Sequence, residues 1–263
     1  MSMKLNLVAP RIGVSWVKLG IRTFFKQPLA LSGVFLLFMA LMTLLSQVPV
    51  IGFVLAMVAL PSATLGLMAA TKEASEGRFP MPLVLLAALR AGRQQARSML
   101  VLGALYAVGF LITVGLSTLA DGGDFARVYL GGATPTREMM LESGFQLAMW
   151  VFIGVHLPLS LMFWHAPALV HWHAVSPVKS LFFSLLACLR NFWAYTVFAL
   201  GWLLVLMMLV SGATLISTLM GKPGMTGEIL LPALLLLASM FFTSLYFTFR
   251  DTFDTASSSQ NQS

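Results

Sequence analysis

LPSATLGLMAATKEASEGRFPMPLVLLAALRAGR, residues Leu60 to Arg93, decides the fold. Its first twelve residues carry no charge and continue an apolar run from about residue 50, as a membrane helix does. The run stops at KEASEGRFPMP, residues 72 to 82, a charged elbow rich in turn residues. Beyond the elbow a half-basic amphipathic segment predicts a second interfacial helix, with Arg90, Arg93 and Arg97 on one side. Leu85, Ala88, Leu89, Gly92 and Ala96 fall on the other.

The same plan returns in residues Leu157 to Arg190. In both stretches a Leu-Pro pair (Leu60-Pro61, Leu157-Pro158) is followed, nineteen residues after its proline, by Pro80 or Pro177. Thirteen residues further on stand Arg93 and Arg190, then Gly103 and Gly201 inside new apolar spans. Pro10, Arg22 and Gly33 repeat the second half of the pattern, and Leu231-Pro232 the first. These spacings predict an all-α, polytopic membrane helix bundle of six transmembrane helices in three repeats, each an interfacial helix plus two spans. The repeats cover about 10–71, 80–171 and 177–250 of a single transmembrane domain, 1–250. Residues 251–263 read as a disordered cytoplasmic tail.

Composition agrees. The 263 residues are 59% hydrophobic and 10% charged, too little charge to cover a soluble surface. The net charge of +7 does not point to nucleic acid, because the cations sit at the ends of apolar spans. The lone Cys188 excludes an intramolecular disulfide. The basic N-terminus followed by Leu29 to Ser46 reads as an uncleaved first helix: the run is longer than a signal h-region and lacks a small-residue cleavage site.

The spans fall at about 29–47, 50–71, 99–120, 144–165, 193–219 and 229–249. In the second, Ala56, Ala59, Ala63, Gly66 and Ala70 form one narrow face, which predicts a central helix. Pro61, Pro158 and Pro232 are expected to kink their helices. Residues 121–143, with four acids against two arginines, read as a periplasmic connector.

Charge gives the orientation. Thirteen of sixteen Lys and Arg fall in the N-terminal segment, the two elbows with their helices, and the C-terminus. Only Arg127, Arg137 and Lys222 fall in the opposite loops, which hold five of nine acids. The positive-inside rule therefore places both termini in the cytoplasm. The first interfacial helix, 11–26, puts Arg11, Lys18, Arg22 and Lys26 in one sector, with Trp16, Val17, Ile21 and Phe24 opposite, toward the acyl boundary. The third, 177–192, places Lys179, Ser180, Ser184, Arg190 and Asn191 together. Arg11, Lys18, Arg22, Lys26, Arg90, Arg93, Arg97, Lys179 and Arg190 are thus the candidate contacts to anionic lipid headgroups.

No pattern announces an enzyme. There is no P-loop, His-Glu-x-x-His or Gly-x-Ser-x-Gly, and the spans contain no Asp, Glu, Lys or Arg. His156, His165, His171 and His173 all belong to one stretch, so no facing pair for haem arises, and a zinc site lacks a local cysteine or carboxylate. They are expected as boundary groups bonded to headgroups or backbone, with His156, the deepest, as a candidate pathway residue. No cofactor or metal is expected. The partners are membrane lipids and anionic headgroups, with a membrane-protein partner or a second copy as further candidates. The reading is a non-enzymatic membrane protein organising lipid or partners, the alternative a permease or channel between the repeats near the prolines.

The motifs KLGIRTFFKQPLALSGVFLLFMAL, LPSATLGLMAATKEASEGRFPMP and YFTFRDTF resemble a family of uncharacterised beta-proteobacterial integral inner-membrane proteins. The likeness covers most of the chain and implies location in the bacterial inner membrane, with no activity attached. In plan the chain is also similar, more loosely, to the membrane domain of glycerophosphodiester phosphodiesterases, whose enzyme residues have no counterparts here.

Overall fold

The computed structural model describes residues 3–255. Each of its spans is a helix because an apolar backbone in lipid must satisfy every N–H and C=O within the segment. In chain order, β1 (Met3–Leu5) leads to α1 (Ile12–Lys26) and α2 (Pro28–Ser46), where Pro28 opens the helix at a position that lacks an N–H partner in any case. α3 (Gly52–Ser75) returns. A 3-10 turn (Pro82–Leu86) and α4 (Ala87–Arg90) precede α5 (Arg93–Asp121). Two short helices, α6 (Asp124–Gly131) and α7 (Arg137–Leu141), lead to α8 (Ser143–Trp164) and α9 (Ala166–His173). α10 (Pro177–Arg190), α11 (Phe192–Leu219), α12 (Thr226–Thr252) and β2 (Phe253–Thr255) complete the chain. Among the described residues six helical stretches are long and apolar enough to cross a membrane: α2, α3, α5, α8 with α9, α11 and α12. The protein is an all-α polytopic bundle, with one two-stranded antiparallel pair, β1 with β2, tying its ends.

α3 lies at the centre. It touches α2, α5, α12, α9 and the 3-10 turn, and 44% of its most apolar stretch is buried, against 11% for α11. Its small-residue face explains this, since close backbone approach is the main source of helix packing where lipid removes the hydrophobic force. Ala56, Ala63, Gly66 and Ala70 are buried, and a Cβ on Gly66 would lie 2.6 Å from Leu85 Cα. α3, α8 and α12 run unbroken through Pro61, Pro158 and Pro232. The long α8–α9 stretch is interrupted elsewhere, at His165, where Pro167 sits in the first turn of the new helix.

Three expectations need correction. The second interfacial helix is not one helix: Gly92, at φ +108°, ends α4 and starts α5, so Arg90 stands apart from Arg93 and Arg97. The acidic connector is folded: the Asp121 carboxylate accepts the Gly123 and Phe125 amides at 2.8 and 2.6 Å, which starts α6. Phe125 and Tyr129 then lie 5.3 and 4.7 Å from Phe152 of α8. The tail also begins later than residue 251, because α12 continues through Thr252 and residues 253–255 pair with 3–5. The remainder, 256–263, lies outside the described residues.

Candidate functional site: a cationic face at one end of the bundle

Because successive spans alternate in direction, α1, the 72–92 segment, α10 and both chain ends collect at one end of the bundle. Direct contacts bind them. The Gln27 side chain donates to Arg78 O at 3.1 Å, and Asn191 accepts the Val8 amide at 2.8 Å while donating to Asn6 O at 3.1 Å. Arg11, Lys18, Arg22, Lys26, Arg90, Arg93, Arg97, Lys179 and Arg190 are all exposed at this end. Among the described residues none of the nine takes part in an ion pair; those found are Arg78–Glu76, Arg127–Asp124 and Arg250–Asp251. α5 supplies two of the nine by its length: 29 residues reach about 43 Å, against a hydrocarbon core of about 30 Å. Its first turns therefore extend past the apolar region, with Arg93 and Arg97 one turn apart on one face.

The inner faces of the surface helices meet protein. Trp16, Val17 and Phe24 of α1 were expected at the acyl boundary; instead Trp16 and Val17 are buried against α11 and α12, and Phe24 is buried in the cluster built by α2 and α3. The reason is two glycines seven residues apart. A Cβ on Gly13 would stand 2.3 Å from Ala194 O, and one on Gly20 2.6 Å from Ser244 Cβ, so α1 nests on both helices at backbone distance. α10 shows the same division. Lys179 and Arg190 are exposed, but Ser180, Ser184 and Asn191, grouped with them by sequence, face inward and are buried.

A polar knot lies beneath the cations. The Ser184 hydroxyl donates to Leu161 O at 2.7 Å and accepts the His165 amide at 2.9 Å, which holds both sides of the α8–α9 break. His165 Nε2 lies 2.5 Å from the Tyr195 hydroxyl, itself 3.4 Å from Thr252 Oγ1. Trp164 Nε1 donates to Thr248 Oγ1 at 3.2 Å, and Trp16 Nε1 to Asp251 Oδ2 at 2.9 Å. His165 is thus a fully buried link between helices and not a boundary histidine. His156 is half-buried, stacked 5.1 Å from Phe152 and edge-on to Phe110. His171 and His173 lie beside Trp172 and Phe249 respectively. Among the described residues no three His, Cys, Asp or Glu side chains converge as metal ligands do. Burial pushes the Cys188 thiol on α10 up to about 12, so it stays a thiol near neutral pH.

Six apolar helices with most of their surface cations gathered at one end define a polytopic membrane protein. The chain is 34% identical over 254 residues, covering 95% of its length and 94% of the relative's, to a probable inner membrane protein of Burkholderia thailandensis. It belongs to that family of bacterial inner-membrane proteins. No protein-family model matches the chain, and no solved structure matches it.

Proposed function

We propose that this inner-membrane protein is a non-enzymatic scaffold that gathers anionic lipid, or a partner bearing acidic groups, against its cytoplasmic end. One observation carries the reading: nine exposed cations at the end where the strands 3–5 and 253–255 pair, none of them in an ion pair among the described residues. A cation without an internal partner keeps its full attraction for lipid phosphate, about 1 kcal/mol per charge near the surface. The rigid docking of α1 and α10 by their buried inner faces supports the same reading, because it fixes the cations in place. The alternative of a permease between the repeats has less support. The proline-bearing helices are continuous, and the space enclosed among α2, α3 and α12 is about 10 Å³. The groove of about 210 Å³ beside Pro232 is lined by apolar side chains and two serines, with no charged group.

Arg90→Gln/Arg93→Gln/Arg97→Gln tests the reading. Three charges amount to about 3 kcal/mol at most, so affinity for anionic lipid in mild detergent is expected to fall by about tenfold to a hundredfold. Unchanged retention, with unchanged capture of acidic partners, removes the proposal. Orientation has its own check. A tag inserted beside Arg78 is expected to be reached only from the cytoplasmic side, and labelling from the periplasm inverts the layout.

A further inference from the structure

Lys72 does not belong to the exposed stripe. It sits near the end of α3, half-buried, with its ammonium 5.5 Å from the centre of the Trp172 ring. Arg250, in the last turn of α12, lines the same cleft. The cleft has a volume of about 220 Å³ and is lined also by His173, Tyr246 and Phe249. The floor is aromatic: Trp172 and Phe249 are 5.2 Å apart, and Trp172 meets Tyr246 edge-on at 5.9 Å.

The charges facing the cleft decide what fits it. Lys72 is in no ion pair among the described residues. Arg250 is held by Asp251 through Nε at 2.7 Å and lies over the Phe247 ring, an arrangement that leaves the two Nη groups of its fork for another oxyanion. Of the two acids at α3's end, Glu76 is engaged by Arg78, and half-buried Glu73 is in no ion pair among the described residues. Two cations with unspent donors, a phenol and an imidazole over an aromatic floor form a receptor for one tetrahedral oxyanion attached to a less polar body. We infer that this cleft binds a phosphate group, Lys72 and Arg250 gripping its oxygens and Trp172 packing the glycerol or equivalent carbon skeleton behind it. The inference rests on the lipid-gathering reading above and narrows it from a diffuse cationic face to one stoichiometric site.

The phosphate could be carried by a lipid headgroup or by a soluble ester, and one experiment separates them. The full chain carrying Arg90→Gln/Arg93→Gln/Arg97→Gln, purified in neutral mild detergent, is titrated with phosphatidylglycerol or phosphatidylcholine and followed by native mass spectrometry. A parallel titration with sn-glycerol 3-phosphate is followed by calorimetry. One equivalent of phosphatidylglycerol, bound at least fivefold more tightly than phosphatidylcholine, assigns the site to a lipid. One equivalent of glycerol 3-phosphate without the lipid preference assigns it to a soluble ester. In either case Lys72→Gln is expected to weaken the binding at least fivefold and Lys72→Arg to restore it within twofold. Failure of both ligands to saturate at one equivalent, or Lys72→Gln binding as tightly as its parent, overturns the inference. The three arginines whose loss tests the broader proposal are already absent from this background, so that failure leaves the broader proposal to be judged by its own experiment.

Discussion

Gly103→Ala is expected to lower stability by about 3 kcal/mol while Gly33→Ala leaves it unchanged or slightly raised, although the two glycines hold matching places in the sequence pattern. A Cβ on Gly103 would stand 2.0 Å from Val58 O and 2.9 Å from its carbonyl carbon. Both obstacles are backbone, so no rotamer change relieves them and α5 must move away from α3, the central helix. Overpacking of this kind typically costs about 1–3 kcal/mol and occasionally more; backbone against backbone belongs at the upper end. Gly201 meets only Val17 Cγ2, at 3.0 Å, and Gly201→Ala is expected to cost about 1 kcal/mol or less. Gly33 has no atom within 4 Å of its virtual Cβ, and an alanine there gains helix propensity of up to about 1 kcal/mol. Thermal unfolding of the three variants in detergent, followed by size-exclusion chromatography, ranks them. Equal losses for Gly33→Ala and Gly103→Ala would contradict the packing described for α3 and α5.

The glycine contrast shows what periodicity can and cannot carry. The six spans were legible because lipid imposes one requirement everywhere: roughly twenty apolar residues with every backbone group satisfied within the helix. The centrality of α3 was legible for a related reason, since its small residues recur on one face and small residues in lipid mean close neighbours. Which neighbour each glycine meets depends on the three-dimensional arrangement of helices, and no local spacing encodes that. The second interfacial helix failed on one residue. Its charge pattern fits a continuous helix, but the positive φ at Gly92 breaks the chain there. The nine cations were legible as exposed groups at one end of the bundle. The polar knot was not, because its members are single polar residues far apart in sequence, as Asn6 and Asn191 or Trp16 and Asp251 are. The charge-free polar stripe Ser180, Ser184 and Asn191 was the one local signal of an inward-facing surface on α10.

Trp16→Ala is expected to be the most damaging change on the cationic end, and its outcome bears on how α1 holds its charges in place. Trp16 is fully buried, 5.1 Å from the Tyr195 ring and 6.0 Å from Phe198, edge-on to the latter. Removing a buried tryptophan typically costs about 3–5 kcal/mol, and here it empties the contact that seats α1 on α11. The indole N–H also donates to the Asp251 carboxylate, and a hydrogen bond to a charged group contributes about 1.5–3 kcal/mol. Trp16→Phe separates the two contributions, because it keeps most of the aromatic volume and deletes only the donor. Since the Asp251 side chain is 25% exposed, water compensates part of the loss, and Trp16→Phe is expected near the lower end of that range. In an Asp251→Asn background the cost of Trp16→Phe is expected to shrink, the coupling that a double-mutant cycle measures. If α1 instead lay with its aromatic face in lipid, Trp16→Ala would melt with the parent protein and Asp251→Asn would not change the cost of Trp16→Phe. A loosened α1 has a further consequence. Arg11, Lys18, Arg22 and Lys26 lose their fixed spacing, so Trp16→Ala should weaken retention of anionic lipid without removing a single charge.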